Sequence, residues 1–530
     1  MLDLLNFFRR RESDPFASGK ALKRLVKSLS QRDDYEAHQM LVSAFKQFAD
    51  SEEVPTLDRL RVLMRLDESS ESIREALRSL YLENPHGLKQ GESAAWKEIS
   101  SLYWYLARGY QAFVRRTLAS RGKDDFAAYL PLITARALHH YGTAIKWRYF
   151  HQEAVDTKMW GRLHKLYRVA ESARFADTKA RLDERGGFGT CTQQYVRILL
   201  LSSLDPTCLR SAQLEAVELW LASWASLVTL DREVDAAQHS HCVDLAQNAG
   251  PARLAGVGAI AGKMRYLGMQ ALLAEVKAVR EKLQAGEVPE GFQVPVGWSL
   301  PRCIDLLDQV ASLWSRGAAS RLLPREREKK RVEVACGIEA IRMCLRPGAA
   351  VLETAEPIRQ GEMEDQGDGG FGLRFESANA SCPGIGSLVG LKTLGQDDPW
   401  EIGAMRWVTH TPDSVAVGIE KLSRAARLVE LDEIQNDAQS MTLNGVENER
   451  IEAIFLPMVG ELGMASSLIM PGEEYAVVRQ LELHDGSVVY RVRLTNVLES
   501  SGDWVRVRFD VLGRRQAARG ASANLSAAVR

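Results

Sequence analysis

The chain has 530 residues, 45% of them hydrophobic, which is enough for roughly three or four globular domains and favours a folded over a disordered protein. The 68 lysines and arginines balance 69 aspartates and glutamates, so no overall field attracts DNA or an anionic membrane. Seven scattered cysteines without a C-x-x-C pair, and no apolar run of about 18 residues, predict a cytoplasmic protein without a transmembrane segment. Any anion site must come from a local cluster of charge.

Residues 1–317 are predicted to form an all-α region, either a bundle or an irregular solenoid. In the stretch SLYWYLARGYQAFV, Leu102, Leu106, Gly109 and Phe113 recur at the spacing of one helical stripe. The Trp-rich segments LYWYLARGY and VELWLASWASL fit either a helical core or a surface for a partner protein, and aromatic residues at this spacing favour the core.

The pattern changes after a predicted basic linker, residues 318–331. Short runs rich in β-branched and aromatic residues, such as RVEVACGIEAI, GLRFES and VAVGIEKLS, predict an antiparallel β domain over residues 332–430. A second small β domain is predicted over residues 431–513, with a hairpin turn at Asp485-Gly486. The tail, residues 514–530, has little apolar bulk and is predicted to be disordered. The fold class is therefore a multidomain α + β protein.

The stretch QGDGGFG places Gly367, Gly369 and Gly372 at the G-x-G-x-x-G spacing of dinucleotide-binding loops. That fingerprint requires a strand before the glycines and a helix after them. Here the upstream segment RQGEMEDQ is polar, and the downstream segment FGLRFES alternates like a strand. A hairpin loop is therefore predicted, and its glycine spacing alone does not distinguish a nucleotide site from coincidence.

A basic cluster precedes the first predicted strand, because five of the seven residues from Arg325 to Arg331 are basic. Arginine offers a planar fork of donors that suits phosphate oxygens and the edge of guanine, so Arg327 and Arg331 are candidates for holding a guanine nucleotide. The alternative is a solvated linker in which Glu326 and Glu328 neutralise the basic residues.

Taken together, these features resemble a PilZ domain, a small β-barrel that is a receptor for cyclic di-GMP in many bacterial proteins. The segment REKKR, Arg327 to Arg331, matches the R-x-x-x-R motif of that family. The segment DQGDGG matches the second motif at Asp365 and Gly370, whereas Gly367 stands where the family usually has serine. The resemblance covers Arg321 to Ala426, about a fifth of the chain.

The resemblance implies that Arg327 and Arg331 contact the phosphates and guanines of cyclic di-GMP, while Asp365 and the loop from Gly367 to Gly370 wrap one base. Glycine lets the main chain approach the base, but Gly367 lacks a hydroxyl worth about 1 kcal/mol or somewhat more, which corresponds to about a tenfold change in affinity. Arg406 either faces the ligand or points outward beside a core tryptophan, Trp407. Further possible ligand contacts are Arg325, Lys330, Asp368, Arg374 and Arg406.

The sequence thus predicts a non-enzymatic receptor or adaptor that relays cyclic di-GMP to unidentified protein partners. Motility, pili or exopolysaccharide are the outputs implied by family analogy. The competing hypothesis is a degenerate PilZ scaffold that acts through protein contacts alone. No cofactor or metal is predicted, because His239 and His241 would point to different faces of a helix. Homo-oligomerisation is compatible with the sequence.

Overall fold

The structure is a computed structural model that describes residues 16, 18–83, 91–182, 187–235, 237–254, 263–315, 326–346, 358–376, 384–396, 398–411, 413–434, 450–457, 466–476, 478–485, 488–501 and 503–516. The chain divides into two compact units, Met1–Ser320 and Arg321–Arg530. None of the helices in these described ranges combines the length and hydropathy that a membrane span requires.

The first unit is built mainly of helices. They are α1 (Gly19–Leu29), α2 (Asp34–Asp50), α3 (Leu57–Ser69), α4 (Glu71–Glu83), α5 (Glu92–Ala119), α6 (Leu130–Phe150), α7 (Thr157–Ser172), α8 (Cys191–Ser203), α9 (Ser211–Trp224), α10 (Gln270–Gln284) and α11 (Leu300–Trp314). The predicted stripe on α5 is confirmed, since Leu102, Leu106 and Phe113 are fully buried. Trp220 and Trp224 of α9 are also buried, as the core interpretation requires.

The first unit also contains strands that the all-α prediction omitted. A two-stranded sheet pairs β1 (Ala180–Arg181) with β2 (Phe188–Gly189). A four-stranded sheet in the order β3-β6-β4-β5 is formed by β3 (Thr229–Asp231), β4 (His239–Asp244), β5 (Ala252–Arg253) and β6 (Met264–Gly268). His239 and His241 therefore lie on a strand, and the helix argument about them was wrong. His239 contacts Asp231, and His241 contacts Ser240.

A buried polar cluster ties the helices of the first unit together at Asp67 of α3. Its carboxylate accepts a hydrogen bond from the Tyr110 hydroxyl (2.7 Å) and contacts His140 Nε2 at 3.0 Å. It also forms ion pairs with Arg74 at 3.1 Å and Arg136 at 3.8 Å. Burial opposes ionisation of Asp67, yet His140, Arg74 and Arg136 together lower its pKa below the usual range.

The second unit contains two closed antiparallel barrels, which confirms the predicted fold class. The first barrel has the strand order β10-β11-β12-β9-β8-β7, and β7 also pairs with β10. Its strands are β7 (Glu326–Cys336), β8 (Ile358–Gly367), β9 (Gly370–Glu376), β10 (Leu388–Thr393), β11 (Glu401–His410) and β12 (Ser414–Ser423). Alternate residues such as Val332, Leu373 and Val417 fill its core.

Two details of the first barrel differ from the sequence predictions. Strand β7 begins at Glu326, so the basic cluster from Arg327 onward belongs to the strand and not to a linker. The segment after Gly337 forms helix α12 (Ile338–Leu345) instead of continuing the strand. The positive φ of Gly337, 89°, turns the chain there, and Ile338 and Ile341 then bury one helical face.

The second barrel has the order β13-β14-β15-β18-β17-β16. Its strands are β13 (Arg427–Glu433), β14 (Ile451–Leu456), β15 (Ser467–Pro471), β16 (Gln480–Asp485), β17 (Val488–Ser500) and β18 (Trp504–Gln516). Residues 427–430 thus belong to this barrel, and β18 extends three residues into the predicted tail. Residues 517–530 lie outside the described residues.

The two barrels share an apolar core. Ile402 and Leu388 of the first barrel pack in one cluster with Ile454, Ile469 and Trp504 of the second. The Trp504 indole donates a hydrogen bond to the Gly386 carbonyl at 3.1 Å. The barrels are therefore joined by buried contacts and not only by the chain between β12 and β13.

Candidate functional site

The glycine stretch forms the β8–β9 hairpin of the first barrel. Gly367 pairs with Gly370, leaving Asp368 and Gly369 as the turn. The predicted hairpin and the downstream strand are confirmed, but the polar upstream segment is also a strand. Its polar residues are tolerated because β8 leaves one face outside the barrel. A strand follows the glycines, so no helix N-terminus is available for a pyrophosphate.

The turn is fixed by residues at the end of β12. The Lys421 backbone N–H donates to the Gly369 carbonyl at 3.1 Å. Arg424 forms an ion pair with Asp368 at 3.0 Å. Asp368, a possible ligand contact in the sequence prediction, is therefore already paired with a cation.

Two β-bulges bring the predicted arginines into neighbouring rows on the outside of the barrel. Arg327 of β7 pairs with Asp365 of β8, and Arg331 pairs with Glu362. Asp365 in turn pairs with Gly372 of β9, whereas Glu362 pairs with Arg374. Arg327 and Arg331 thus lie four residues apart on β7, whereas the paired residues lie three residues apart on β8 and two on β9. Each bulge absorbs one residue, so both arginines lie on the same outward face.

Arg327 and Arg331 carry exposed guanidinium groups. Neither guanidinium group forms a hydrogen bond or an ion pair with any residue that the structure describes, whereas the Arg331 backbone carbonyl accepts a hydrogen bond from the Leu394 N–H at 3.0 Å. Asp365 lies next to Arg327 on the neighbouring strand, and its carboxylate covers Gly372. A Cβ at Gly372 would come within 2.9 Å of Asp365 Oδ1. The structure therefore brings together three of the predicted site residues, Arg327, Arg331 and Asp365, on one face.

A groove with a volume of about 720 Å³ lies at the Arg331 end of this face, and Arg327 and Asp365 are not among the described residues that line it. Its cations are Lys329, Lys330, Arg331 and Arg374, and its anions are Glu362, Glu376 and Asp413. Arg374, a possible contact in the prediction, donates to Ser414 Oγ at 3.0 Å and pairs with Glu364. The hydrogen bond to Glu364 raises the pKa of Arg374, so its charge is fixed. A groove of this charge suits a ligand that has both anionic and hydrogen-bonding groups.

The remaining predicted contacts differ in their surroundings. Lys330 forms an ion pair with Glu328 at 2.6 Å beside the groove. Arg406 binds Glu420 at 2.6 Å and also Glu499 of the second barrel. This engagement favours the outward interpretation of Arg406. Arg325 lies outside the described residues.

Sequence reasoning missed two residues near the hairpin. Lys421 is only 5% exposed, and its ammonium group lies 4.0 Å from the centroid of the Phe371 ring. Burial lowers the pKa of Lys421, although Glu401 at 3.4 Å opposes that shift. The signal was a lysine inside the apolar run VAVGIEKLS. Trp407, predicted to be a core residue, is only half-buried and lies on the outside of the barrel.

Two family models match the chain. Residues 20–237 match the model described as "Cyclic-di-GMP receptor FimW, N-terminal domain". Residues 437–512 match "FimW C-terminal beta-barrel domain". The first barrel lies between the two matched ranges, which together span more than half of the chain. No curated protein matches the chain.

Proposed function

The chain belongs to the FimW family of cyclic-di-GMP receptors, and we propose that it binds this ligand on the outer face of its first barrel in the manner of a PilZ domain. Arg327, Arg331 and Asp365 are the main contacts, with the hairpin from Gly367 to Gly370 beside them. The protein acts in the cytoplasm without catalysing a reaction, and it relays the second messenger to partner proteins.

The observation that carries this proposal is the pair of exposed arginines, Arg327 and Arg331, that have no partner among the described residues. Among the described arginines of the second unit, most others form an ion pair; Arg346, Arg424 and Arg479, for example, each pair with a carboxylate. Guanidinium groups bind phosphate oxygens through two parallel hydrogen bonds. Cyclic di-GMP carries two phosphates, so the guanidinium groups of Arg327 and Arg331, which have no partner among the described residues, match its charge.

Asp365 supplies the complementary group for the base. A carboxylate accepts hydrogen bonds, and the Watson–Crick edge of guanine presents N–H donors. Gly372 on the neighbouring strand has no side chain, so the Asp365 carboxylate is able to lie flat against the sheet over it. Gly367 presents no side chain and is partly exposed, so the ligand is able to approach the backbone there, whereas Gly370 at the other side of the turn is buried.

Calorimetric titration of the full chain with cyclic di-GMP tests the proposal. We expect binding by the wild type and a loss of about ten- to a hundredfold in affinity for Arg327→Ala and for Arg331→Ala, since hydrogen bonds to charged groups contribute about 1.5–3 kcal/mol. Arg508→Ala is the matched control, because Arg508 is an exposed arginine on a strand of the second barrel. Its affinity should equal that of the wild type.

Two outcomes would contradict the proposal in different ways. Absence of heat from the wild type at tens of micromolar ligand would leave the scaffold hypothesis, in which partner proteins bind whether or not ligand is present. Wild-type affinity in both arginine variants would place the ligand elsewhere on the receptor. Motility, pili and exopolysaccharide remain the outputs proposed by family analogy.

A further inference from the structure

Trp407 lies on the same outer face, at the other end of the row of paired residues that begins with Asp365. Gly372 of β9 pairs with Gly418 of β12, and Gly418 pairs with Trp407 of β11. A Cβ at Gly418 would lie only 1.9 Å from Trp407 Nε1. Glycine is therefore required at position 418, because any side chain would displace the indole.

Asp365 and Trp407 approach each other over this pair of glycines from opposite sides. Three strand spacings separate their backbones, which is about 14 Å at about 4.8 Å per spacing. Between them, Gly372 and Gly418 contribute no side chain of their own. The Asp365 carboxylate covers Gly372 and the Trp407 indole covers Gly418, so both glycines are buried beneath these two side chains.

The indole is free to contact a ligand. Trp407 is half-buried, and its N–H forms no hydrogen bond with any residue in the described part of the chain. By contrast, the Trp96, Trp220, Trp314 and Trp504 indoles each donate to a backbone carbonyl. The indole lies on Gly418 with one side, so a planar base would meet the opposite side of the ring, and aromatic side chains bind bases by stacking.

Trp407 owes its position to an adjacent bulge in β11. The register shifts between Met405 and Trp407, which makes Arg406 the extra residue. Its Nε binds Glu420 at 2.6 Å, and its Nη2 donates to Glu499 Oε2 of the second barrel at 3.0 Å. A bulge re-aims the neighbouring side chain, so fixing Arg406 also fixes the direction of Trp407.

We propose that Trp407 stacks on a guanine base of the ligand and that Glu499, acting through Arg406, is a positioning residue for it. This inference rests on the proposed function, since it adds a base platform to the same face. It gives the second barrel a role in binding, because part of the platform is held in place by a carboxylate from that barrel.

Calorimetric titration of Trp407→Ala with cyclic di-GMP tests the stacking contact. Base–aromatic stacking predicts a loss of affinity of about tenfold or more, whereas Trp407→Phe should retain most of the affinity because it keeps a ring. Trp400→Phe is the matched control: Trp400 precedes the same strand and is also partly buried, but it packs against the core between the barrels. Its affinity should not change.

Two more variants test the proposal if Trp407→Ala does not fold. Gly418→Ala retains the indole but displaces it, and should weaken binding by a similar factor. Glu499→Gln removes one charge that holds Arg406, and should weaken binding severalfold. Ligand should also change the tryptophan emission of the wild type, and that change should be absent from Trp407→Phe.

The outcomes separate this inference from the proposed function. If Arg327→Ala abolishes binding while Trp407→Ala and Gly418→Ala bind like the wild type, the platform is wrong and the receptor site stands. If the tryptophan variants weaken binding but Glu499→Gln does not, the positioning role is wrong. If the wild type does not bind, the proposed function fails and the inference fails with it.

Discussion

Replacing Asp67 by asparagine should strongly destabilise the helical unit. Asp67 is 2% exposed, and its carboxylate is the shared partner of Arg74, Arg136, His140 and Tyr110. Asparagine keeps the size of the side chain but removes the charge. Arg74 and Arg136 are themselves 9% and 2% exposed, so both cations would stay buried with less compensation.

The expected loss of stability in Asp67→Asn follows from the burial of both the carboxylate and its cationic partners. Removing one partner of a buried ion pair costs about 3–5 kcal/mol, because the remaining charge is desolvated without its counter-charge. Glu68 still pairs with Arg136 at 2.6 Å, which favours the lower end of that range. We therefore expect the free energy of unfolding of this unit to fall by about 3 kcal/mol at neutral pH.

The effect should depend on pH with a defined sign. The pKa of Asp67 is lowered in the folded state, so the stability that its partners provide is present above the unfolded pKa, about 3.9. That stability is lost as the pH falls below this value towards the folded pKa. The difference between wild type and Asp67→Asn should therefore be largest near neutral pH and shrink in acid below about pH 4.

Urea unfolding followed by far-ultraviolet circular dichroism measures this difference, since most helices lie in the first unit. Glu36→Gln is the control: Glu36 pairs with Arg32 at 3.0 Å, but its side chain is 52% exposed. Exposed pairs contribute about 0–1 kcal/mol, so the control should barely shift the midpoint. Equal midpoints for Asp67→Asn and wild type would refute the view that Asp67 organises the cluster.

Three further predictions concern other sites. Gly367→Ser should raise the affinity for cyclic di-GMP about tenfold in calorimetry, because it places a hydroxyl at the end of β8, where the residue does not have a positive φ; unchanged affinity would show that no hydroxyl is needed there. Trp504→Ala should cost about 3–5 kcal/mol in thermal unfolding, because the ring is fully buried between the barrels, whereas Val511→Ala, at a 57% exposed position, should be nearly neutral. Burial lowers the pKa of His38 to about 3, so His38 alone should contribute a loss of about 1.4 kcal/mol per pH unit as the pH falls from about 6.5 towards that value, in addition to the losses from other histidines with lowered pKa values such as His139 and His241. His38→Leu should flatten this slope in urea unfolding, and an unchanged slope would contradict the assignment.

Local patterns predicted much of the fold. The helical stripe on α5, the change to β structure and the two antiparallel domains all follow from periodicity, and they are confirmed. Helix α12 was missed because the run from Val332 to Ile341 reads as one apolar stretch. Strand β8 was missed because its residues are polar. A strand with one face outside a barrel needs few apolar residues, so its composition carries little signal.

The candidate site was predictable in part. The resemblance selected Arg327, Arg331 and Asp365, which lie on one face, and it also suggested Arg406, which binds carboxylates. Trp407 was assigned to the core because an aromatic residue in a strand is usually buried. Neither the bulge at Arg406 nor the close approach of Trp407 to Gly418 has a local signature in the sequence.

Periodicity and composition indicated most of the helical and extended segments, although not β1–β6, β8 or α12, and they located the stretches that carry the charge and the glycines. They did not indicate which of those stretches lie together. Arg406 reaches a carboxylate 93 residues away, and Arg327 reaches the row of Asp365 only through the register of β7 and β8. The physical reason is that strand register and bulges are set by packing of the closed barrel, whereas periodicity reports only which side of a strand is apolar.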